Sequence, residues 1–578
     1  MNILEQEDGY RIETGSYRIT ARSDRFEAGV GDHIFFELSV RSEVATAEGS
    51  DVDEELLQLD HEQTGEGVVL VWRTRSSLWE QKAYMLDCRE DRFLYKVQVT
   101  GSGKLHKLAY FSGAGRTVCK GSRYDASHYA LPVAAGGGAD VRVHTTAQNG
   151  ELTLGYMAPP QFCFPFRMEG APQWLGLGLA ARPGAYNFDS FAYRFHAPYY
   201  GLFRMYLETD LKGYTTVNGQ FETPAILGGS GGDEWEVLRH YSRWHYTEGG
   251  CANPREEGSG PVGANEDAHP HMEPSWWSGP FFCGWGEQNS IERANPFVHA
   301  NERAYTAMSD RLDELGLKPT VIIIDDKWQR YYGESLPDPG KWPSLRAYTD
   351  REHAKGRRVV LWFKTWNTEG LDADECVTLW TQPLGADPTN PKYRERMKRT
   401  IRLLLSDEEG CCNCDGFKID FANCMPLGPD LRTSEPGVYG VELLKRMMAL
   451  LYEAAKEVKS DALINCSACH PYFAEVADQI RLHDYYGGMR HSVDVMTHRA
   501  ALFQAAMPGI SMDTDGASHT HYRDTMAYMR AAPKLGVPDL YNLSSTSEAP
   551  LTRADWEEIR LIWEAYSRSL HAKGGEQK

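Results

Sequence analysis

Asp415-Gly416-Phe417-Lys418-Ile419-Asp420-Phe421 reads as a short buried strand in which Phe417, Ile419 and Phe421 alternate on one face. The same period of two puts Lys418 and Asp420 together on the other face, at the strand's far end. Burying either charge alone is expensive, so a carboxylate and an ammonium at a strand terminus point to chemistry. Asp420 is the candidate catalytic carboxylate. Lys418 is expected to hold it ionised and to donate to a ligand hydroxyl. A second carboxylate, Asp484, is expected to face it.

Outward from this stretch, strand and helix patterns alternate from about residue 277. Candidate strands are 281–285, 320–325, 358–364, 416–421, 462–466 and 479–484, with weaker ones at 509–513 and 538–543. The helical pattern at 301–315 stops at Gly316 with Pro319 beyond, and 438–459 places Leu443, Leu444, Met447 and Leu451 on one side. Eight such units over about 300 residues suit a (β/α)8 TIM barrel. An open doubly wound sheet is disfavoured, because no dinucleotide glycine fingerprint follows any strand. Residues 1–232 carry many short alternating segments (17–22, 34–40, 93–99) and read as an N-terminal β-sandwich. Gly136-Gly137-Gly138 and Gly228-Gly229-Ser230-Gly231-Gly232 read as flexible breaks. Residues 233–276 read as a helical linker, with Asp233 as N-cap and a Gly- and Pro-rich stretch at 247–272. The expected organisation is therefore a sandwich (1–232), a linker (233–276) and a catalytic barrel (277–578).

The chain has 61 Lys plus Arg against 81 Asp plus Glu, a net charge of −20, which disfavours nucleic acid and anionic membrane surfaces as partners. No signal-peptide pattern opens the sequence and no run of apolar residues is long enough to span a bilayer. Twelve cysteines without a secretion signal read as reduced thiols, and the expected location is cytoplasmic.

In a TIM barrel the functional side chains sit at the C-terminal ends of the strands. Those positions here are Gly284 and Trp285; Asp325, Asp326, Lys327 and Trp328; Lys364 and Trp366; Lys418 and Asp420; Asn465 and Cys466; Asp484 and Tyr485; and Asp513. An Asp after a strand is often only the next helix's N-cap, but this many carboxylates in one mouth cost stability without a functional reason. Two carboxylates flanking a glycosidic bond can hydrolyse it. Asp325 and Asp326 are placed to accept from sugar hydroxyls, with Trp285 or Trp328 as a stacking wall.

Taken in order, Gly284-Trp285, Asp325-Asp326-Lys327-Trp328, Leu361-Trp362-Phe363, Lys418-Ile419-Asp420, Asn465-Cys466-Ser467 and Asp484 resemble the motifs of glycoside hydrolase family 36 α-galactosidases, in the clan shared with families 27 and 31. The resemblance implies a large β-sandwich before the barrel. It also implies a retaining α-galactosidase-like mechanism, with Asp420 as nucleophile, Asp484 as general acid/base and no cofactor. Asp325, Asp326 and Lys418 match its sugar-binding positions, Lys327 and Lys364 fall among positions that line its pocket, and Trp366 and Cys466 join the substrate-binding candidates from their places at strand ends. Three departures concern the sugar. Lys327 stands where the family has glycine, Lys364 where it has glutamate, and Ala468-Cys469-His470-Pro471 replaces a glycine-rich run. Two added cations suit an anionic or modified sugar. No counterpart of the family's C-terminal β-domain is expected after the last helical stretch, 553–570.

Cys411, Cys412, Cys414 and Cys424 lack the second ligand pair of a zinc site, and His519-Thr520-His521 follows the wrong strand for a metal-dependent amidohydrolase barrel, so no metal is expected. Arg490, His491 and His498 are further candidates for the mouth. Glycoside or oligosaccharide is the expected partner, with a homo-oligomer open. The alternatives are a transglycosylase resembling raffinose synthases on the same barrel, a non-catalytic carbohydrate-binding protein and a metal-dependent hydrolase.

Overall fold

The computed structural model describes residues 1–112, 123–124, 129–130, 144–145, 150–155, 162–199, 202–255, 274–482, 492–516, 522–544 and 549–575. Two antiparallel sheets come first, one of six strands and one of thirteen. Alternating residues from both meet in a shared aromatic core: the Phe26 ring lies against Trp72, Phe93, Tyr95 and Phe111, and Phe36 packs edge-on against Phe166.

The glycine run at 228–232 is not a break. Gly228, Gly229, Ser230 and Gly231 belong to the buried strand Ala225–Gly231, where close neighbours of Gly228 and Gly231 leave no room for a side chain. A Cβ on Gly228 would lie 2.0 Å from Phe93, and one on Gly231 2.8 Å from the backbone nitrogen of Val237. Gly136–Gly138 lie outside the described residues.

Helix Glu234–Thr247 follows, capped as expected by Asp233, whose carboxylate accepts from the Glu236 N–H at 2.7 Å. Its buried face joins the two halves. Tyr241 donates to the Leu179 carbonyl in the sandwich, and Tyr246 donates to the Ala506 carbonyl in the barrel.

The second half is the expected barrel. Its parallel strands are β1 (Phe281–Cys283), β2 (Val321–Ile324), β3 (Arg358–Lys364), β4 (Gly416–Asp420), β5 (Leu463–Cys466), β6 (Gln479–Arg481), β7 (Ser511–Asp513) and β8 (Asp539–Leu540). They pair in sequence order from β1 to β7, and β8 pairs with β1. A bridge between Asp513 and Val537 completes the circle. Helices between the strands end where the sequence places them: Glu302–Glu314 is capped by Asn301 and followed by Gly316 at φ +69°, and Gly440–Val458 buries Leu443, Leu444, Met447 and Leu451.

Strand alternation divides the barrel into two cores. Phe281, Cys283, Val321, Ile323, Val360 and Leu463 fill its interior, whereas Ile322, Ile324, Val359, Leu361, Phe417 and Ile464 face the helices. This parity determines which strand-end residues reach the mouth. Among the described residues, no helix is long and apolar enough to cross a membrane.

Candidate active site

Register along the strands sets the depth of each side chain. Ile324 pairs with Leu361 and Leu361 with Phe417, so Asp325, Trp362 and Lys418 share one level inside the barrel. Asp420 stands two residues beyond Lys418, about 6–7 Å nearer the mouth, level with its partner Lys364.

That difference in depth corrects the expected Lys418–Asp420 pair. Lys418 Nζ lies 3.0 Å from Asp325 Oδ2 and 2.9 Å from the Tyr541 hydroxyl, with both members of the ion pair buried. Burial works against the Lys418 charge, but the facing Asp325 overrides it and holds its pKa well above the ordinary lysine value. Cys283, kept protonated by burial and by Asp325, donates to the same carboxylate oxygen at 3.0 Å. The other oxygen accepts from the Asp326 N–H at 2.8 Å. Asp325 is thus occupied by protein donors. Breaking this pair strands a buried charge, so Lys418→Met is expected to lower stability by about 3–5 kcal/mol. Denaturant unfolding should show most of that loss recovered in Lys418→Met/Asp325→Asn.

Asp420 takes its partners from elsewhere. Arg481, fully buried on β6, places one guanidinium nitrogen 2.8 Å from Asp420 Oδ1 and the other 2.8 Å from Asp515 Oδ2. The Trp362 indole N–H lies 3.2 Å from Asp420 Oδ2, and the N–H of Phe421 donates to Oδ1. The Asp420 side chain remains 18% exposed, so a carboxylate held by Arg481 is reachable from outside. Tyr541 donates to Asp515, which links the two ion pairs into one chain: Asp325, Lys418, Tyr541, Asp515, Arg481, Asp420. Beneath it, burial and Asp515 push Asp513 up to about 6, and burial together with Asp513 raises Asp539 well above the usual carboxylate range.

Asp326 lies beside this chain, accepting from the Tyr332 hydroxyl at 2.7 Å. Burial, opposed by that hydrogen bond and reinforced by Asp325, pushes its pKa up to about 7. The folded protein therefore holds this proton over a range where the unfolded chain, with an ordinary aspartate, has released it. Stability from this group is greatest at low pH and declines from about pH 4 to about pH 7, by at most about 1.4 kcal/mol per unit. Asp326→Asn is expected to remove that decline from the pH dependence of unfolding.

The tryptophans and Cys466 correct other expectations. Trp328 is fully buried, donates to the Trp362 carbonyl at 2.6 Å and belongs to the core beneath the helices, so it is no stacking wall. Trp366, at φ +72°, is likewise buried, with its indole donating to the Ala422 carbonyl. Cys466 points outward because its neighbour Asn465 takes the inward position of β5, bonding Asp513 at 2.8 Å. Trp285 opens a short helix at the end of β1 and packs near Phe297, partly exposed. Phe421 leaves the strand at φ +55°, 38% exposed, so it breaks the expected alternation and sits at the rim against Trp362. His498 is buried against Trp235, away from the mouth. Lys327 and Lys364 both stand at the rim, 3.8 and 4.8 Å from the Tyr332 ring centroid.

Asp484, Tyr485, Arg490, His491, His519 and His521 lie outside the described residues. Among the described residues, no group of three or more His, Cys, Asp or Glu side chains is arranged to hold a metal ion. Arg481, Asp515, Tyr541 and Tyr332 were not singled out from sequence, and Trp362 entered only as part of the Leu361-Trp362-Phe363 motif. Arg481 carried a usable signal, since Gln479-Ile480-Arg481-Leu482 alternates and sends an arginine into a barrel full of carboxylates.

No family model and no curated protein matches this chain. Solved structures do. A family 36 α-galactosidase from Geobacillus stearothermophilus, solved with stachyose, is 12% identical, with a TM-score of 0.54 over 97% of this chain and 86% of that one. A family 31 sulfoquinovosidase from E. rectale, bound to an aza-sugar inhibitor, is 11% identical, with a TM-score of 0.56 over 98% and 83%. A cycloalternan-degrading enzyme from Trueperella pyogenes, solved as a covalent intermediate, is 11% identical, with a TM-score of 0.52 over 98% and 84%. At such identities the likeness is one of fold: a β-sandwich followed by a (β/α)8 barrel.

Proposed function

We propose that the protein is a retaining α-glycosidase of the α-galactosidase type, with Asp420 as nucleophile and Asp484 as general acid/base. The observation that carries this reading is the state of Asp420. Its carboxylate ends β4 at the barrel mouth, with Arg481 on one oxygen, the Trp362 indole on the other and part of its surface open. A fixed, ionised and accessible carboxylate is what attack on an anomeric carbon requires. The fold neighbours named as glycosidases, one of them captured as a covalent intermediate, support the same reaction class.

In the first step an Asp420 oxygen bonds to the anomeric carbon as the glycosidic C–O bond breaks, and Asp484 gives its proton to the departing oxygen. In the second, Asp484 takes a proton from water, whose oxygen displaces Asp420 from the same carbon. Two inversions return the original α configuration. Asp326 and Tyr332 present a carboxyl and a hydroxyl to sugar hydroxyls beside Asp420. The test is turnover of a panel of aryl α-glycosides, with product configuration followed by NMR. An α-configured first product supports double displacement, and a β-configured one refutes it. A panel that is silent throughout, with sugars still bound, favours a carbohydrate-binding protein.

A further inference from the structure

Not every cation on the Asp326 side of the mouth is ion-paired among the described residues. Lys418 is taken up by Asp325, and Arg481 by Asp420 and Asp515. Lys327 Nζ has Glu369 at 3.8 Å and the Tyr332 ring at 3.8 Å. Lys341 spends its ammonium on the backbone carbonyls of Phe297 and Lys327, at 2.8 and 2.6 Å. Lys364 Nζ lies 4.8 Å from the Tyr332 centroid and 4.5 Å from that of Phe421, and among the described residues it makes no hydrogen bond or ion pair. Two ammonium groups therefore share one aromatic ring, which attracts each of them while they repel one another.

The backbone adds a second cost. Lys327 sits at φ +76°, a left-handed conformation that glycine adopts freely and a lysine only with strain. The strain serves one contact inside the chain, since the Lys327 carbonyl accepts from Lys341, but the repulsion serves none among the described residues, and an anion that the two lysines share accounts for it. Tyr332 is the hinge of the arrangement. Its ring carries both cations, and its hydroxyl donates to Asp326 at 2.7 Å, so the same residue fixes the cationic rim and a carboxyl that faces the sugar.

We propose that the glycone carries an oxyanion, as a sulfonate, sulfate, phosphate or carboxylate group, received by Lys364 and Lys327 at the Tyr332 ring. The proposal rests on the glycosidase reading and narrows its substrate class from neutral galactosides to acidic sugars. With its pKa raised to about 7, Asp326 is largely uncharged in mildly acidic solution and only partly charged at neutral pH, which limits its repulsion of the anion. Lys364 makes the main contact, because Glu369 already faces Lys327.

The test compares matched aryl α-glycosides of one sugar bearing, at C6, a hydroxyl, a sulfonate, a phosphate or a carboxylate. Wild type, Lys364→Gln and Lys327→Gly are assayed at low and high salt, and calorimetry measures binding of the free C6-charged sugars to Asp420→Asn. At least one charged glycoside is expected to exceed its neutral partner in kcat/KM. That ratio should fall about 10- to 100-fold in Lys364→Gln, as for a lost charge-assisted contact, less in Lys327→Gly, and should shrink as salt rises. A neutral glycoside preferred by the same ratio in all three proteins would overturn the oxyanion site while leaving the glycosidase reading intact. Charged sugars that bind through Lys364 with no glycoside turned over would keep the site and remove the glycosidase reading. Neither binding nor turnover would remove both.

Discussion

Asp420→Ala is expected to lower kcat/KM for an aryl α-glycoside by roughly five orders of magnitude, as loss of a covalent nucleophile does. Added azide should restore a measurable part of it and yield the β-glycosyl azide. The reason lies in the cavity left behind. The substitution removes a carboxylate at the barrel mouth and frees space for a small anion on the side from which the proposed nucleophile would attack. Arg481 keeps its second partner, Asp515, at 2.8 Å, so the buried guanidinium is not stranded and the barrel should stay folded. Inactivity without azide rescue, in a protein that unfolds at the wild-type denaturant concentration, would count against Asp420 as nucleophile. The same treatment of Asp484→Ala should give the α-glycosyl azide, since there the nucleophile is intact and azide replaces water in the second step.

Arg481→Met should lower stability by about 3–5 kcal/mol, together with a large fall in kcat. Arg481 is fully buried between Asp420 and Asp515, and its removal leaves both carboxylates without their cation. Arg481→Lys should rescue little. One ammonium on a flexible stem does not span two carboxylates that a guanidinium meets through separate nitrogens. Adding Asp515→Asn to Arg481→Met should recover part of the stability but not the activity, because Asp420 still lacks its countercharge. Chemical denaturation alongside single-substrate kinetics separates the two effects. Equal recovery of both would mean that Arg481 acts only through folding.

The alternation of β4 and the spacing of eight strand–helix units made the barrel legible without coordinates, and so was the sandwich before it. Both rest on periodicity, which is local. Pairings across the barrel were less accessible. Lys418 and Asp420 are two residues apart and on one face, yet strand depth separates them, and each finds its partner on another strand. The Gly228–Gly231 run was misread for a related reason. A glycine's meaning depends on what packs against it, here Phe93 and the backbone of the following helix. Trp328, Trp366 and Cys466 resembled mouth residues by position along the chain, and their side chains turned out to serve the core.

The sequence by itself determined the fold class, the strand ends where chemistry collects and Asp420 as the carboxylate at the end of β4, because period-two alternation and helix-end signals act over a few residues. Only the tertiary structure decided who pairs with whom. Barrel register sets Lys418 level with Asp325, brings Arg481 from β6 to Asp420 and stands Lys327 and Lys364 on one tyrosine ring. Electrostatic partnership depends on distance through space and on burial, and neither is written in the order of residues along a strand.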